Sequence, residues 1–99
     1  MKMYYVTLNN QNEARAISQS LLEKQLAVCT NWFPIQCMYR WQGEIKQDEE
    51  VVLIIKTQDG LREKIESEIG NHINYTNFIA EIETSSVNEK FQQWLNTEM

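Results

Sequence analysis

Two cysteines and one histidine are the side chains of this 99-residue chain best suited to hold a metal ion. Cys29 and Cys37 offer sulfur, and a thiolate is the soft donor that selects Cu(I) or Zn(II) over hard cations. Their seven-residue gap fits neither a C-x-x-C redox motif nor a paired zinc knuckle. His72 is the sole imidazole, so one chain cannot close a tetrahedral site of paired histidines and cysteines. Copies gathered about a symmetry axis would supply three equivalents of a single residue. Each candidate also has a plainer use: a free cysteine packs as a small apolar residue, and a loop histidine faces solvent.

A second group could line a cleft. Tyr39 and Trp41 stand two residues apart, on one face of an extended segment, and aromatic side chains dominate both ligand clefts and subunit contacts. Tyr75 is grouped with them, as is Lys56, which follows an apolar run and either holds an anion or forms an ordinary ion pair. Asp48, Glu49 and Glu50 offer oxygen to hard cations but read more simply as a solvated turn. Glu81 and Glu83 likewise read as a solvated strand edge. No nucleophile–base–orienter set, no glycine-rich phosphate loop and no H-E-x-x-H occurs, so a non-enzymatic role is expected.

The elements that must position these residues follow from periodicity. Lys2 to Leu8 reads as a strand, and Ala14, Ile17, Leu21 and Leu22 mark an amphipathic helix from Asn12 to about Lys24. A second strand runs from about Ala27 to Trp41. Pro34 lies within it, which predicts a bend, a bulge or an edge position. It pairs with a third strand ending near Thr57, making a long hairpin. Gln58-Asp59-Gly60 is expected to cap a helix over Leu61 to Ile69, with Gly70 terminating it. A fourth strand is predicted over Tyr75 to Glu83. Ser86 with Glu89 then offers a capping box for a last helix whose apolar stripe is Val87, Phe91, Trp94 and Leu95. The order β-α-β-β-α-β plus a C-terminal helix is the ferredoxin-like, α+β arrangement, in a single domain over residues 1–99.

Assembly is also legible. Val51 to Ile55 is an unbroken apolar run, and a strand with one wet face would alternate instead. The helices can cover one face of the sheet, and another copy of the chain is the simplest cover for the other. A net charge of −5 argues against a general nucleic-acid partner and against anionic membranes. The apolar run near Met1 is too short for a signal segment or a membrane span, so a cytoplasmic protein with reduced thiols is expected.

Read in order, Gln25-Leu26-Ala27-Val28-Cys29-Thr30-Asn31, Pro34, Tyr39-Arg40-Trp41-Gln42-Gly43-Glu44-Ile45, Glu50, Lys56-Thr57 and Trp94-Leu95 resemble the CutA divalent-cation tolerance family. That family's pattern reads roughly R-L-A-A-C-V-N, P, Y-x-W-x-G, E, K-T, and the likeness covers almost the whole chain. It implies a ferredoxin-like homotrimer whose hairpins wrap onto neighbouring subunits, and a link to tolerance of divalent metals, copper especially. It favours Cys29, at the family's cysteine position, as the metal ligand. Cys37 stands where the family has serine, Gln25 where it has arginine, and the chain is one residue short between Pro34 and Tyr39. The family's H-P-Y-x-x-P-E segment is replaced by His72-Ile73-Asn74-Tyr75-Thr76-Asn77-Phe78-Ile79, with the histidine displaced by one. The fold is similar to that of the PII signalling proteins, trimers that bind small ligands between subunits. The alternative to a copper-responsive protein is therefore a small-ligand signalling trimer, with Tyr39, Trp41 and Lys56 lining its cleft, or a scaffold for a partner protein.

Overall fold

The computed structural model describes residues 1–99. Its longest strand, β3 (Glu44–Thr57), pairs antiparallel with β2 (Cys29–Trp41) on one side and β1 (Lys2–Leu8) on the other. β4 (Ile79–Glu83) completes a sheet of order β2-β3-β1-β4. Helices α1 (Gln11–Glu23) and α2 (Arg62–Gly70) connect the halves, and α3 (Glu89–Glu98) follows β4. This is the ferredoxin-like α+β fold the pattern predicts.

Alternation along the strands decides where the core lies. Val51, Leu53 and Ile55 of β3 pair with Leu8, Val6 and Tyr4 of β1. All six are buried in one cluster with Ala14, Ile17 and Leu21 of α1 and Ile65 and Ile69 of α2. The intervening residues Val52, Ile54 and Lys56 point to the opposite face, which neither α1 nor α2 covers. There Val52 is fully buried by its neighbours within the sheet, whereas Phe33 is 45% exposed and Phe78 58%. α3 folds over only one end of this open face, where Phe91 lies 5.6 Å from the Lys56 ammonium.

Beyond Glu50 the β2–β3 hairpin leaves the body, and the molecule is accordingly elongated, 47 × 27 × 21 Å. Its tip has Gln42 at φ 49° and Gly43 at φ 80°, the pair of positive values that a two-residue type I′ turn requires. The register from Cys29↔Lys56 to Trp41↔Glu44 is unbroken, so Pro34 causes no bulge. It is accommodated because β2 is the edge strand and its outer side needs no ladder partner.

Several local expectations are corrected. β4 starts at Ile79 rather than Tyr75, because the Asn77 side-chain amide donates to the Thr7 carbonyl (2.9 Å) in place of a backbone N–H. α2 has Leu61 at its N-cap with no side-chain cap, and Gly70 remains helical while Asn71 ends the helix in ordinary right-handed geometry. The Ser86 capping box does not form. Asn88 occupies the N-cap of α3, and Glu89 instead accepts from Gln93.

The end of α1 shows a residue under strain. Leu26 N–H reaches the Leu21 carbonyl (2.8 Å) and Gln25 N–H the Leu22 carbonyl (3.1 Å), a Schellman closure with Gln25 at the left-handed position, φ 56°. Most helices closed this way use glycine, since a Cβ is penalised there. Gln25→Gly is therefore expected to raise stability by roughly 0.5–1 kcal/mol, read as a higher midpoint in thermal and urea unfolding.

Candidate functional site

The hairpin root meets the segment before β4 to form a groove of about 640 Å³. Register sets its floor. Cys37 faces Asp48, Tyr39 faces Lys46 and Ile35 faces Glu50 across the β2–β3 ladder, all on the open face. The opposite wall is Asn9, Tyr75, Asn77 and Phe78. Four residues singled out from the sequence, Cys37, Tyr39, Trp41 and Tyr75, thus come together here. Trp41 is 58% exposed, so a large aromatic surface is open to solvent.

Hydrogen bonds fix the groove's polar groups. Tyr75 leaves the strand so that its hydroxyl can donate to Glu13 (2.7 Å) while accepting from the Asn9 N–H (3.0 Å). Glu13 also accepts from that N–H (2.9 Å), and Asn10 Oδ1 accepts from Glu13 N–H (2.9 Å), so the N-terminus of α1 is capped from both sides. The Tyr39 hydroxyl donates to Asp48. Lys46 pairs with Glu44 at 2.8 Å. Glu50 has no ion-pair partner.

These carboxylates hold protons on their neighbours. Partial burial, then Glu50, then Asp48 push the Cys37 thiol above its ordinary value. The bond to Asp48 raises Tyr39, and burial followed by the bond to Glu13 raises Tyr75 strongly. At neutral pH the groove therefore presents a thiol and two phenols, not a thiolate.

The other candidates lie elsewhere. Cys29 begins β2 on the open face, opposite Lys56 and half-buried as a free thiol. It stands eight residues from Cys37 along one strand, roughly 26 Å at about 3.3 Å per residue, so one ion cannot bridge both. Lys56 lies at the far end of β3 against Phe91, outside the groove of Tyr39 and Trp41. Within one chain, then, Lys56 is not a neighbour of Tyr39 and Trp41.

His72 lies in the turn after α2, exposed to solvent on the helical side. Its Nε2 is 3.2 Å from Glu68, which also accepts from Ser20 and pairs with Lys24 at 2.7 Å. Glu68 is buried, a point not legible in a helix otherwise rich in charge. Lys24 first, then Ser20 and His72, hold its carboxyl down to about 2 from an ordinary 4.5. No three His, Cys, Asp or Glu side chains converge to hold a metal within one chain. Cys29, Cys37 and His72 occupy three separate places.

A four-stranded sheet with α1 and α2 on one face, a largely uncovered opposite face and a long protruding hairpin defines a ferredoxin-like protein. Residues 2–98 match the family model for the CutA1 divalent ion tolerance protein, and the chain belongs to that family. The divalent-cation tolerance protein CutA of Thermotoga maritima is 34% identical over 96 residues, covering 96% of this chain and 95% of that protein. The crystal structure of CutA1 from Pyrococcus horikoshii superposes with a TM-score of 0.92 at 30% identity, over 100% of this chain and 98% of that one. A protein from Archaeoglobus fulgidus, described as a periplasmic divalent cation tolerance protein, gives 0.93 at 31% identity over 99% and 98%. The chain spans 51% of the chloroplastic CutA protein of Arabidopsis thaliana, and about a third of the mouse and human CutA proteins. No helix is long and apolar enough to cross a membrane.

Two measurements check this electrostatic reading. Glu68's lowered proton affinity stabilises the fold fully above its ordinary value of 4.5, and the contribution is lost as pH falls through about 2. Melting temperature should fall over that window, and Glu68→Gln should flatten the fall while lowering the melting temperature at pH 7, where Lys24 loses its partner. Alkylation of Cys37 by iodoacetamide at pH 8, in a Cys29→Ser background, should accelerate on Glu50→Gln, because removing that charge makes the thiolate easier to form. An unchanged rate would remove Glu50 from the account of Cys37.

Proposed function

We propose that this chain acts in tolerance of divalent cations as a non-enzymatic homotrimer, and that it takes up copper at the boundaries between its subunits. The observation that carries the reading is the open sheet face. One apolar layer of the sheet is left uncovered in a chain matching the divalent-ion tolerance family over nearly all its length. Exposed apolar surface of this kind marks an association site.

Copper uptake is assigned to Cys29 because that thiol lies on the open face, where copies would meet, and soft sulfur favours Cu(I). His72 is directed at Glu68 on the other side of the sheet, and Cys37 is kept protonated, so neither suits the ion as well. Both cysteines are free, which suits the reducing cytoplasm we assign to the protein.

A second reading is favoured by the groove at the hairpin root. Its volume of about 640 Å³ lies in the range of small-ligand sites, and its lining mixes the rings of Tyr39, Trp41, Tyr75 and Phe78 with polar side chains. There the protein would bind a small molecule and need no metal.

Native mass spectrometry of the reduced, metal-free protein, before and after anaerobic Cu(I), tests the first reading. A trimer taking up one or three ions, with uptake lost in Cys29→Ser and kept in Cys37→Ser, is expected. A monomer at micromolar concentration would overturn the assembly, and unchanged uptake by Cys29→Ser would overturn the ligand.

A further inference from the structure

We propose that Glu50 of one copy forms an ion pair with Lys56 of the next where open sheet faces meet, so that the groove at the hairpin root is completed by a neighbour's lysine. This rests on the reading of the chain as a homotrimer that covers this face, and it names the contact that joins one copy to the next.

Charge on the open face of the sheet is confined to β3. Alternation puts Glu44, Lys46, Asp48, Glu50 and Lys56 there, while β1, β2 and β4 present uncharged residues. Lys46 pairs with Glu44 at 2.8 Å, and Asp48 accepts from the Tyr39 hydroxyl. Glu50 and Lys56 are left, one charge of each sign, and neither has an ion-pair partner within the chain. Glu50 stands beside the Cys37 thiol, and Lys56 lies over the Phe91 ring at 5.6 Å. They cannot reach each other in one chain, since extended strand holds them roughly 20 Å apart at about 3.3 Å per residue.

Covering the face changes their situation. Both side chains are already half-buried in the single chain, and a neighbour seated on Phe33 and Ile54 removes more of their water. A charge buried without a counter-charge is heavily penalised, whereas one that is paired and hydrogen-bonded is tolerated. Glu50 therefore needs a cation from the next copy. Arg15 lies over Trp32 on the helical side, Lys64 is on α2, and Arg40 alternates to the other face of the hairpin. Lys56 alone is a cation of the open sheet face without a carboxylate. The pairing also sets a direction: the hairpin root of one copy meets the far end of β3 of the next, a heterologous contact that closes as a ring. Lys56 thereby joins Tyr39 and Trp41 across a subunit boundary, which it cannot do within one chain.

Charge reversal tests the pair in the assembled protein, with sedimentation velocity along a urea series reading trimer dissociation. Glu50→Lys and Lys56→Glu are each expected to weaken association at least about tenfold, and the double reversal to recover it to within about threefold of the native chain. Lys64→Glu, the same change of charge on α2, should leave association within about twofold. The neutral variants Glu50→Gln and Lys56→Met keep the test decisive if a reversal fails to fold: each should weaken association, and together they should weaken it by less than the product of their separate effects. If the native chain is a trimer but the double reversal recovers nothing, the neutral effects multiply, or Lys64→Glu weakens association as much, the pair is wrong and the homotrimer stands. If the native chain is a monomer at micromolar concentration, the homotrimer and the pair both fail.

Discussion

The rest of this structure depends on the packing of one strand. β3 carries Val51 to Ile55 through the middle of the sheet, so its apolar side chains project to both faces. Two helices can bury only one of those faces. The alternate residues Val51, Leu53 and Ile55 anchor α1 and α2, whereas Val52 and Ile54 open a second apolar layer continued by Phe33, Phe78 and Ile82. Burying such surface is worth about 25 cal/mol per Å² removed from water. An uncovered layer of this kind favours association, and it is the ground on which a homotrimer is proposed.

The hairpin extends that logic. Its outer half has no element packed on it, so its chemistry is set by cross-strand neighbours rather than by a core. Direct pairs such as Tyr39 with Lys46 and Cys37 with Asp48 put a thiol, a phenol and carboxylates on one ribbon face. Burial and acidic neighbours raise the Cys37 thiol, and the bond to Asp48 raises the Tyr39 phenol. On the helical side a different device operates. Glu68 is buried between α1 and α2 and is tolerated there because Lys24, Ser20 and His72 all bind it. Ser20 and Lys24 make the link between the two helices, and the sole histidine adds a contact to Glu68 from the end of the same helix.

Much of this was legible in the residues themselves. The period-2 and period-3.6 patterns name the strands and helices, the apolar run at Val51 to Ile55 announces a two-sided strand, and the motif string names the family. Local capping was less legible. The left-handed end of α1 falls on Gln25, which has no intrinsic preference for it, while Gly70, which does, stays helical. Chain direction at those points is decided by where Leu26 and Asn71 must go to reach the sheet and the next loop, and tertiary packing overrides propensity there.

By itself, then, the sequence determined the order of elements, the amphipathic faces and the family, because each is encoded in spacing along the chain. The tertiary structure alone decided which candidate residues share a site. Cys29 and Cys37 belong to one strand, yet extended backbone holds them roughly 26 Å apart at about 3.3 Å per residue. Tyr75 lies far from Tyr39 in sequence, yet joins it across the groove. The separation of Lys56 from that groove and the burial of Glu68 likewise arise from pairings between distant segments. Spacing fixes what is near along one element; only the packed sheet brings side chains from different elements within reach of one ligand.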